Sequence, residues 1–247
     1  KKRILKISIE NADIIVTDSF STRRDIIEYY GTNEEKIKVV HLGVESRFRP
    51  ISNVEEYRQK NKLPSKMILN VGTLEPRKNV VTLIKAFKRL REKGFEDYKL
   101  VIAGDKGWLY EQIFKDVDHS GLKQEILFRG VVSDEDLPMF YNCADIFVYP
   151  SLYEGFGLPP LEAMACGIPV ITSNTSSLPE VVGDAGIMVD PTDIDSLCEA
   201  MHRVMTNKEL WQHMSRKGLQ RSSLFSWEKT TTEILGIYDE VLANKNY

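Results

Sequence analysis

The sequence predicts an α/β protein with a doubly wound parallel sheet, and two observations lead to this prediction. From residue 65 onward, short apolar runs alternate with helical patterns, which is typical of parallel strands joined by helices. The apolar runs are also rich in Val and Ile, as expected for strands covered on both faces. The chain of 247 residues is long enough for one large domain, or for a medium domain with part of another.

The elements of this domain follow in order along the chain. Six strands are predicted, at 67–72, 98–104, 125–130, 145–151, 168–173 and 186–190. The helical patterns between them cover 80–93, 107–119, 134–143, 158–166 and 193–205. In the first helix, apolar residues recur at spacings of three and four and define one buried face: Val80, Leu83, Ile84, Phe87 and Leu90.

Two further segments flank this domain. The first 45 residues hold a strand in DIIVTDS, a helix in TRRDIIEYYG and a second strand in KIKVVHLG. The polar connector RFRPISN then marks a boundary. From Lys208 the pattern is helical, with Trp211 and Trp227 as expected packing anchors. We therefore divide the chain into a first segment (1–45), a linker (46–64), the α/β domain (65–205) and C-terminal helices (206–247) that pack back toward the first segment.

Composition excludes several classes of function. A net charge of −3 gives no reason to expect nucleic acid as a partner. Cys143, Cys166 and Cys198 have apolar neighbours and no metal-binding spacing, so we expect reduced core thiols in a cytosolic protein. No apolar run approaches the roughly 20 residues of a spanning helix. The sequence has no GxGxxG, GxxxxGK[ST] or GxSxG motif, which argues against nicotinamide, P-loop and nucleophile-elbow chemistry.

Ligands of open α/β sheets bind beyond the carboxyl ends of the strands, and four polar loops follow strands there. These loops are GTLEPRKN, DKGW, VVSDED and SLYEGFGLPP. In the last loop, Gly155 and Gly157 let a ligand approach the backbone closely. Pro159 or Pro160 suits a first helical turn, whose N–H groups would form a site for a pyrophosphate.

Charged residues in these loops suggest what they bind. Glu162 falls in the first or second helical turn, where its carboxylate can accept hydrogen bonds from a ribose diol, and Glu154 faces what lies beyond the phosphates. The alternative, that Glu162 complements the helix dipole and Glu154 is solvated, is disfavoured by the adjacent glycines and prolines. Arg77 and Lys78 are adjacent cations that can bind a diphosphate and stabilise its charge as it leaves.

The histidines give a weaker signal. Three of them fall on helical stretches and are expected to be surface or packing residues: His119, His202 and His213. His41, in KVVHLGV at the hinge, is an alternative cleft residue.

Four motifs follow one another in order along the chain: VGTLEPRKN, AGDKGW, LFRGVVSDEDLPMFYNCADIFVYPS and EGFGLPPLEAMACGIPVITSNTSSLPEVVGDAGIMVDP. With these motifs, the chain resembles the donor-binding domain of the retaining GT-B glycosyltransferases, specifically the glycogen-synthase-like, mannosyltransferase-rich group. The resemblance covers residues 37–205 closely and keeps the Glu-x7-Glu spacing. It implies a Rossmann-like donor domain preceded by the remnant of an N-terminal Rossmann domain. It also implies transfer of a hexose from a UDP- or GDP-sugar to a sugar, lipid or polysaccharide acceptor.

The resemblance further implies roles for individual side chains. Arg77 and Lys78 match the basic pair that grips the donor diphosphate, Glu154 matches the glutamate that contacts the transferred sugar, and Glu162 matches the one that binds the ribose hydroxyls. Arg77, Lys78 and Glu154 are the expected catalytic residues. No metal and no cofactor are expected, because the basic pair takes over the role of a divalent ion.

Backbone contacts with the donor follow from the same resemblance. The segment Phe156, Gly157 and Leu158 is expected to lie along the sugar and phosphate. The backbone near Gly130 and Val131 is expected to dock the base, and Gly72 is expected to let the donor approach.

The implied mechanism retains anomeric configuration by attack on the leaving-group face through an oxocarbenium-like state, so Glu154 is a poor candidate for a covalent nucleophile. The phrase GTLEPRKN favours GDP-mannose users. Members of the family carry a complete N-terminal domain that supplies the acceptor site. Only its last strand and helix are expected here, so we expect donor binding with little or no transfer.

Two other functions remain open from the sequence. One is a non-catalytic sugar-nucleotide-binding module, and the less favoured one is a sugar-nucleotide epimerase. For location, the resemblance favours the cytoplasm, with peripheral contact to the inner face of the plasma membrane as an alternative.

Overall fold

The computed structural model describes residues 2–245, which contain the predicted alternation of strands and helices. The first segment comprises α1 (Lys2–Asn11), β1 (Ile15–Thr17), α2 (Phe20–Tyr30) and β2 (Ile37–Val39), and the linker contains α3 (Glu55–Lys60). The α/β domain follows with β3 (Met67–Val71), α4 (Val80–Glu92), β4 (Lys99–Ala103), α5 (Glu111–Ser120), β5 (Ile126–Phe128), α6 (Leu137–Asn142), β6 (Ile146–Tyr149), α7 (Leu158–Ala165), β7 (Val170–Ser173), α8 (Leu178–Val182), β8 (Ile187–Val189) and α9 (Ile194–Thr206). The last helices are α10 (Lys208–Ser222) and α11 (Trp227–Lys245).

The main sheet has six strands in the order β5-β4-β3-β6-β7-β8, and every pair is parallel. This confirms the predicted doubly wound parallel sheet. The chain runs outward from β3 to β5 and then returns to place β6 beside β3. The strand order therefore reverses between β3 and β6, and the crevice beyond such a reversal is the usual ligand site of open α/β sheets.

Apolar residues cover both faces of this sheet. On one face, α4, α5 and α9 pack over β3, β4 and β6 through residues such as Leu83, Phe87 and Met201. On the other face, α6, α7 and α8 pack together with linker residues such as Phe48 and Leu63. The three cysteines are buried thiols, as the sequence predicted. Within residues 2–245, no helix combines the length and the apolar character that a membrane crossing requires.

The first segment forms a two-stranded parallel sheet, in which Ile15 of β1 is in register with Ile37 of β2. Helix α11 packs against it, because the Thr230 hydroxyl donates to the His41 carbonyl at 2.7 Å and Lys38 pairs with Glu240 at 3.1 Å. Helix α10 instead packs against α7. The C-terminal helices therefore contact both the α/β domain and the first segment.

Some local expectations were wrong. The Trp211 indole is anchored as predicted, by an N–H donated to the Asp145 carbonyl at 2.8 Å. Trp227, by contrast, is 41% exposed and its ring is not a buried anchor. The predicted continuous C-terminal helix is interrupted between α10 and α11. Helices α3 and α8 were missed, because six and five residues are too short to show a helical period.

Candidate active site

The carboxyl ends of β3 and β6 carry the two loops that build the site. Three contacts join these loops directly. The Asn79 amide donates to the Pro150 carbonyl at 3.0 Å, and the Leu152 N–H and the Ser151 hydroxyl both donate to the Arg77 carbonyl, at 2.8 and 3.0 Å. Asn79 adopts a left-handed backbone conformation, with φ 55°, which asparagine tolerates better than most residues. The two loops are thus joined by hydrogen bonds into one rim at the reversal of the strand order.

A buried ion pair lies at the centre of this rim. The Lys78 ammonium is 2.6 Å from Glu154 Oε1 and also donates to the Tyr149 hydroxyl. The same carboxylate oxygen accepts hydrogen bonds from Tyr149 at 2.8 Å and from Ser151 at 2.7 Å. Lys78 and Glu154 are each only 7% exposed. We call these four residues, Lys78, Tyr149, Ser151 and Glu154, the central cluster.

Arg77 connects the central cluster to the open surface. Its Nη1 donates to Glu154 Oε2 at 2.9 Å and to the Tyr153 carbonyl at 3.0 Å, while its Nε lies 2.5 Å from Glu75 Oε1. Its side chain is less buried than that of Lys78. The sequence predicted that Arg77 and Lys78 would lie together. It did not predict that Glu154 would pair with both.

The charges of this cluster follow from its contacts. Burial alone would raise the pKa of Glu154, but the charge of Lys78 and the hydrogen bonds from Lys78, Ser151 and Tyr149 lower it below its ordinary value. Burial lowers the pKa of Lys78, and the attraction of Glu154 opposes this only in part. Burial, followed by the charge of Glu154, raises the pKa of Tyr149 well above its ordinary value. The site therefore holds an ionised carboxylate and a neutral tyrosine that donates to it.

The backbone of Glu154 is held as firmly as its side chain. The Ser176 hydroxyl donates to the Glu154 carbonyl at 2.6 Å and accepts from its N–H at 3.1 Å. The Ser177 hydroxyl donates to the same carbonyl at 3.1 Å. Both serines immediately precede α8, so this short helix supports the loop that carries Glu154.

Glu162 lies apart from the central cluster, in the second turn of α7. Its Oε2 accepts a hydrogen bond from the buried Tyr141 hydroxyl at 2.8 Å. Burial raises the pKa of Glu162, and the Tyr141 bond opposes this only in part. The two predicted glutamates therefore make separate contacts, and the charges of both act on Tyr149.

The start of α7 offers fewer amide donors than the sequence suggested. Proline has no N–H, so Pro159 and Pro160 contribute no donor. The Leu161 N–H donates within the turn to the Gly157 carbonyl at 3.4 Å. Between Gly157 and Leu161, the N–H groups of Gly157 and Leu158 are the ones without an acceptor among the described residues. Arg77 and Lys78 are therefore the larger source of positive charge at this rim.

The segment before α7 is shaped by close packing. The Phe156 ring is buried against His41, with ring centroids 5.7 Å apart, and its carbonyl accepts from the Ser177 hydroxyl at 2.6 Å. Gly157 has φ 118°, and a Cβ there would lie 2.9 Å from Leu178 Cδ2. Glycine is thus favoured at 157 for its conformation, and a Cβ there would also displace the end of the Leu178 side chain.

The remaining predicted positions line the rim at some distance from one another. A Cβ on Gly72 would lie 3.6 Å from both Lys78 Cε and Tyr149 Cε2, so the open side of Gly72 faces the central cluster. Gly130, with φ 63°, follows β5 and has open space at its Cβ position. Val131 is 71% exposed. This loop is therefore open at Gly130 and Val131, which lie outside the central cluster, while the Gly130 carbonyl accepts the Gly104 N–H at 2.7 Å.

His41 does not belong to the central cluster. Its Nε2 lies 3.5 Å from Glu180 Oε2, and Glu180 also accepts the backbone N–H groups of Phe20 at 2.9 Å and Ser21 at 3.2 Å. His41 therefore lies where the first segment meets α8. His41 also packs against Phe156 of the predicted donor segment, so its alternative role as a cleft residue stays a prediction.

Sequence reasoning missed several polar residues of the site. Tyr149 and Ser151 stand at the carboxyl end of the predicted strand 145–151, and the strand-end rule could have identified them. Tyr141 and Glu75 gave no comparable signal, because neither stands directly at a strand end. Their contacts depend on side-chain directions that spacing does not reveal.

Residues 53–221 match the family described as "Glycosyl transferases group 1". The chain belongs to this family of glycosyltransferases. The O-antigen chain mannosyltransferase B of Escherichia coli is 38% identical over 234 residues, which are 94% of this chain and 61% of that protein. The chain thus spans less than two thirds of the length of this relative.

Solved glycosyltransferase structures share the fold. Sucrose-phosphate synthase from Thermosynechococcus elongatus is 26% identical and superposes with a TM-score of 0.85 over 98% of this chain and 61% of that one. Anabaena Alr3699/HepE in complex with UDP-glucose is 18% identical, with a TM-score of 0.87 over 97% of this chain and 67% of that one. The second likeness shows the fold alone. Together they confirm the predicted α/β class and its GT-B character.

Proposed function

We propose that the chain forms the donor site of a retaining, metal-independent glycosyltransferase, which moves a hexose from a UDP- or GDP-sugar to a sugar or lipid-linked acceptor. The observation that carries the proposal is the contact of Lys78 and Arg77 with Glu154 at the reversal between β3 and β6. This arrangement places two cations and one carboxylate where α/β sheets bind ligands.

The two cations suit a departing nucleoside diphosphate. Negative charge develops on the diphosphate as the bond to the sugar breaks, and fixed positive charge lowers the barrier to that step. Lys78 supplies its charge in a buried environment, where electrostatic interactions are stronger than in water. Arg77 supplies a planar guanidinium that can contact two phosphate oxygens at once. In this proposal the pair performs the role that a divalent ion would otherwise have.

Glu154 is suited to orienting the sugar rather than attacking it. Its Oε1 accepts from Lys78, Tyr149 and Ser151, and its Oε2 accepts from Arg77. A carboxylate with both oxygens so engaged is a weak nucleophile. A diphosphate that binds Arg77 competes with Oε2, and the released oxygen can then accept from a sugar hydroxyl. This favours retention by attack on the leaving-group face over a covalent intermediate on Glu154.

Glu162 is assigned to the ribose. The Tyr141 hydroxyl holds Oε2 at 2.8 Å, which orients the carboxylate and directs Oε1 to the ligand in this assignment. Ionised carboxylates accept strong hydrogen bonds from adjacent hydroxyl groups. The open loop at Gly130 and Val131 is assigned to the base.

Mannose is the proposed sugar. The Escherichia coli relative is named as an O-antigen chain mannosyltransferase, and the motif GTLEPRKN favours a GDP-mannose user by resemblance. The HepE structure holds UDP-glucose, so UDP remains the alternative nucleotide.

The test is calorimetric titration of GDP, UDP, ADP, GDP-mannose and UDP-glucose into the chain, in the presence of EDTA. Removing a charged hydrogen-bond partner costs about 1.5–3 kcal/mol. We therefore expect Arg77→Ala and Glu162→Ala to weaken the preferred nucleotide by roughly tenfold or more. The matched control is Arg89→Ala, an exposed arginine of α4 paired with Asp195, which should bind like the wild type.

Two results would contradict the proposal. One is that no nucleotide binds at millimolar concentration, and the other is that Arg77→Ala and Arg89→Ala bind equally well. Transfer is tested separately by adding saccharide acceptors to the protein and identifying the anomeric configuration of the product by NMR. A product with inverted configuration would exclude the retaining mechanism.

A further inference from the structure

The motif AGDKGW begins at the end of β4 and continues into the next loop, and the proposed function assigns it no role in donor binding. This loop runs alongside the loop after β3. The Leu74 N–H donates to the Asp105 carbonyl at 2.8 Å, and the Gly107 N–H donates to the Leu74 carbonyl at 3.0 Å. Leu74 and Lys106 also form an isolated parallel bridge. The motif thus continues the pairing of β3 with β4 into the rim of the site.

Two glycines allow this close approach. A Cβ on Gly104 would lie 2.0 Å from the Gly72 carbonyl oxygen, which is too close for any residue with a side chain. A Cβ on Gly107 would lie 2.8 Å from Thr73 Cγ2 and 2.9 Å from the Leu74 carbonyl oxygen. The sequence of the motif is therefore adapted to holding the residue that follows Gly107 at a defined place beside the loop that carries Arg77.

That residue is Trp108. Its ring is 61% exposed, so it is not held there by burial in the core. Its indole N–H donates to Glu75 Oε2 at 3.1 Å, and the other oxygen of Glu75 lies 2.5 Å from Arg77 Nε. A single carboxylate therefore joins the indole to the guanidinium. The next residue, Leu109, has φ 56°, which a leucine rarely adopts.

This chain of contacts decides how Arg77 is held when a ligand arrives. Arg77 is held by Glu75 at Nε, and by Glu154 and the Tyr153 carbonyl at Nη1. A diphosphate that displaces Glu154 removes one of these contacts. Glu75 is then the remaining charged partner that keeps the guanidinium pointed into the site, provided that Glu75 itself stays in place. The hydrogen bond from Trp108 holds the second oxygen of Glu75 and so opposes rotation of the Glu75 carboxylate.

We propose that Trp108 and Glu75 are positioning residues for Arg77 and that they set the affinity of the site for the diphosphate of the donor. This inference rests on the proposed function, because it requires Arg77 to bind that diphosphate. Ordering a mobile, rotamer-rich side chain on binding weakens affinity by roughly threefold to tenfold. This is the loss that we expect when the indole N–H is removed.

The test is Trp108→Phe, which keeps an aromatic ring but removes the N–H donor. The matched control is Trp227→Phe, because Trp227 is also partly exposed but lies on α11 and lines a groove remote from Arg77. Calorimetric titration of GDP and UDP should show a threefold to tenfold weaker Kd for Trp108→Phe and no change for Trp227→Phe. The two variants should melt at the wild-type temperature. Glu75→Gln should weaken binding at least as much as Trp108→Phe.

A double variant separates positioning from direct contact. If Trp108 acts through Arg77, then Trp108→Phe will have no further effect in the Arg77→Ala background. An equal loss in both backgrounds would overturn the inference, because Trp108 would then act independently of Arg77. If Arg77→Ala weakens binding but Trp108→Phe binds like Trp227→Phe, the donor site stands and the positioning role is wrong. If the wild type binds neither nucleotide, the proposed function and this inference both fail.

Discussion

The buried contact of Lys78 with Glu154 predicts a large loss of stability when the lysine is replaced by methionine. Methionine fills much of the same space, so the change removes mainly the ammonium and its bonds to Glu154 and Tyr149. Breaking one side of a buried ion pair costs about 3–5 kcal/mol. Glu154 keeps hydrogen bonds from Arg77, Tyr149 and Ser151, so we expect the lower end, about 3 kcal/mol. This corresponds to a fall in Tm of roughly 6–12 °C.

The assay is urea unfolding at pH 7 of the wild type, Lys78→Met, Glu154→Gln and the double variant. The midpoint multiplied by the slope gives each free energy of unfolding. The double variant should be more stable than the sum of the single losses predicts, by about 1–3 kcal/mol, because either single change leaves its partner buried without its main counter-charge. The control is Lys93→Met, an exposed lysine paired with Glu199, which should unfold like the wild type. A Lys78→Met variant as stable as this control, or strictly additive losses, would refute the reasoning.

Three further predictions follow from the site. The pKa of Glu154 is lowered in the folded protein, so its ionised carboxylate stabilises the fold above pH 4.5, the pKa in the unfolded chain. This stabilisation is lost as pH falls through the lower pKa of the folded state. The difference in urea midpoint between wild type and Glu154→Gln should therefore shrink from pH 7 to pH 4. Burial raises the pKa of Glu162, so ionisation of this carboxyl destabilises the folded state as pH rises. Glu162→Gln should therefore raise the Tm at pH 7 while weakening nucleotide binding. A lower Tm would contradict this prediction. Gly104→Ala should lower the Tm sharply, whereas Gly94→Ala, with open space at its Cβ position, should lower it much less.

The sheet and the place of the site could be predicted from the sequence because each rests on a local pattern. Strand and helix alternate with clear periods, and the rule that ligands bind at carboxyl ends of strands selects the loops that hold Arg77, Lys78 and Glu154. The structure confirms the sheet and brings these three residues into contact. Their roles in binding a donor stay predictions.

The internal pairing of the site could not be predicted, because it depends on the directions of side chains. Tyr149 and Ser151, five and three residues before Glu154, donate to the same oxygen as Lys78 only because the loop folds back onto the end of β6. Spacing alone equally allows Glu154 to point toward solvent. The sequence suggested more backbone N–H donors at the start of α7 than the structure provides. Prolines are well placed in a first helical turn, but Pro159 and Pro160 have no N–H to donate to an anion.

The short helix α8 has a mechanical consequence for the whole molecule. Glu180, on this helix, accepts the first amides of α2, while Ser176 and Ser177 immediately before it hold the backbone of Glu154. This five-residue helix and the two serines before it therefore make hydrogen bonds both to the first segment and to the loop that carries Glu154. A displacement of the first segment pulls on Glu180 and, through α8, on the loop that carries Glu154. The geometry of the carboxylate at the centre of the site is thus tied to the position of a segment that belongs to another sheet.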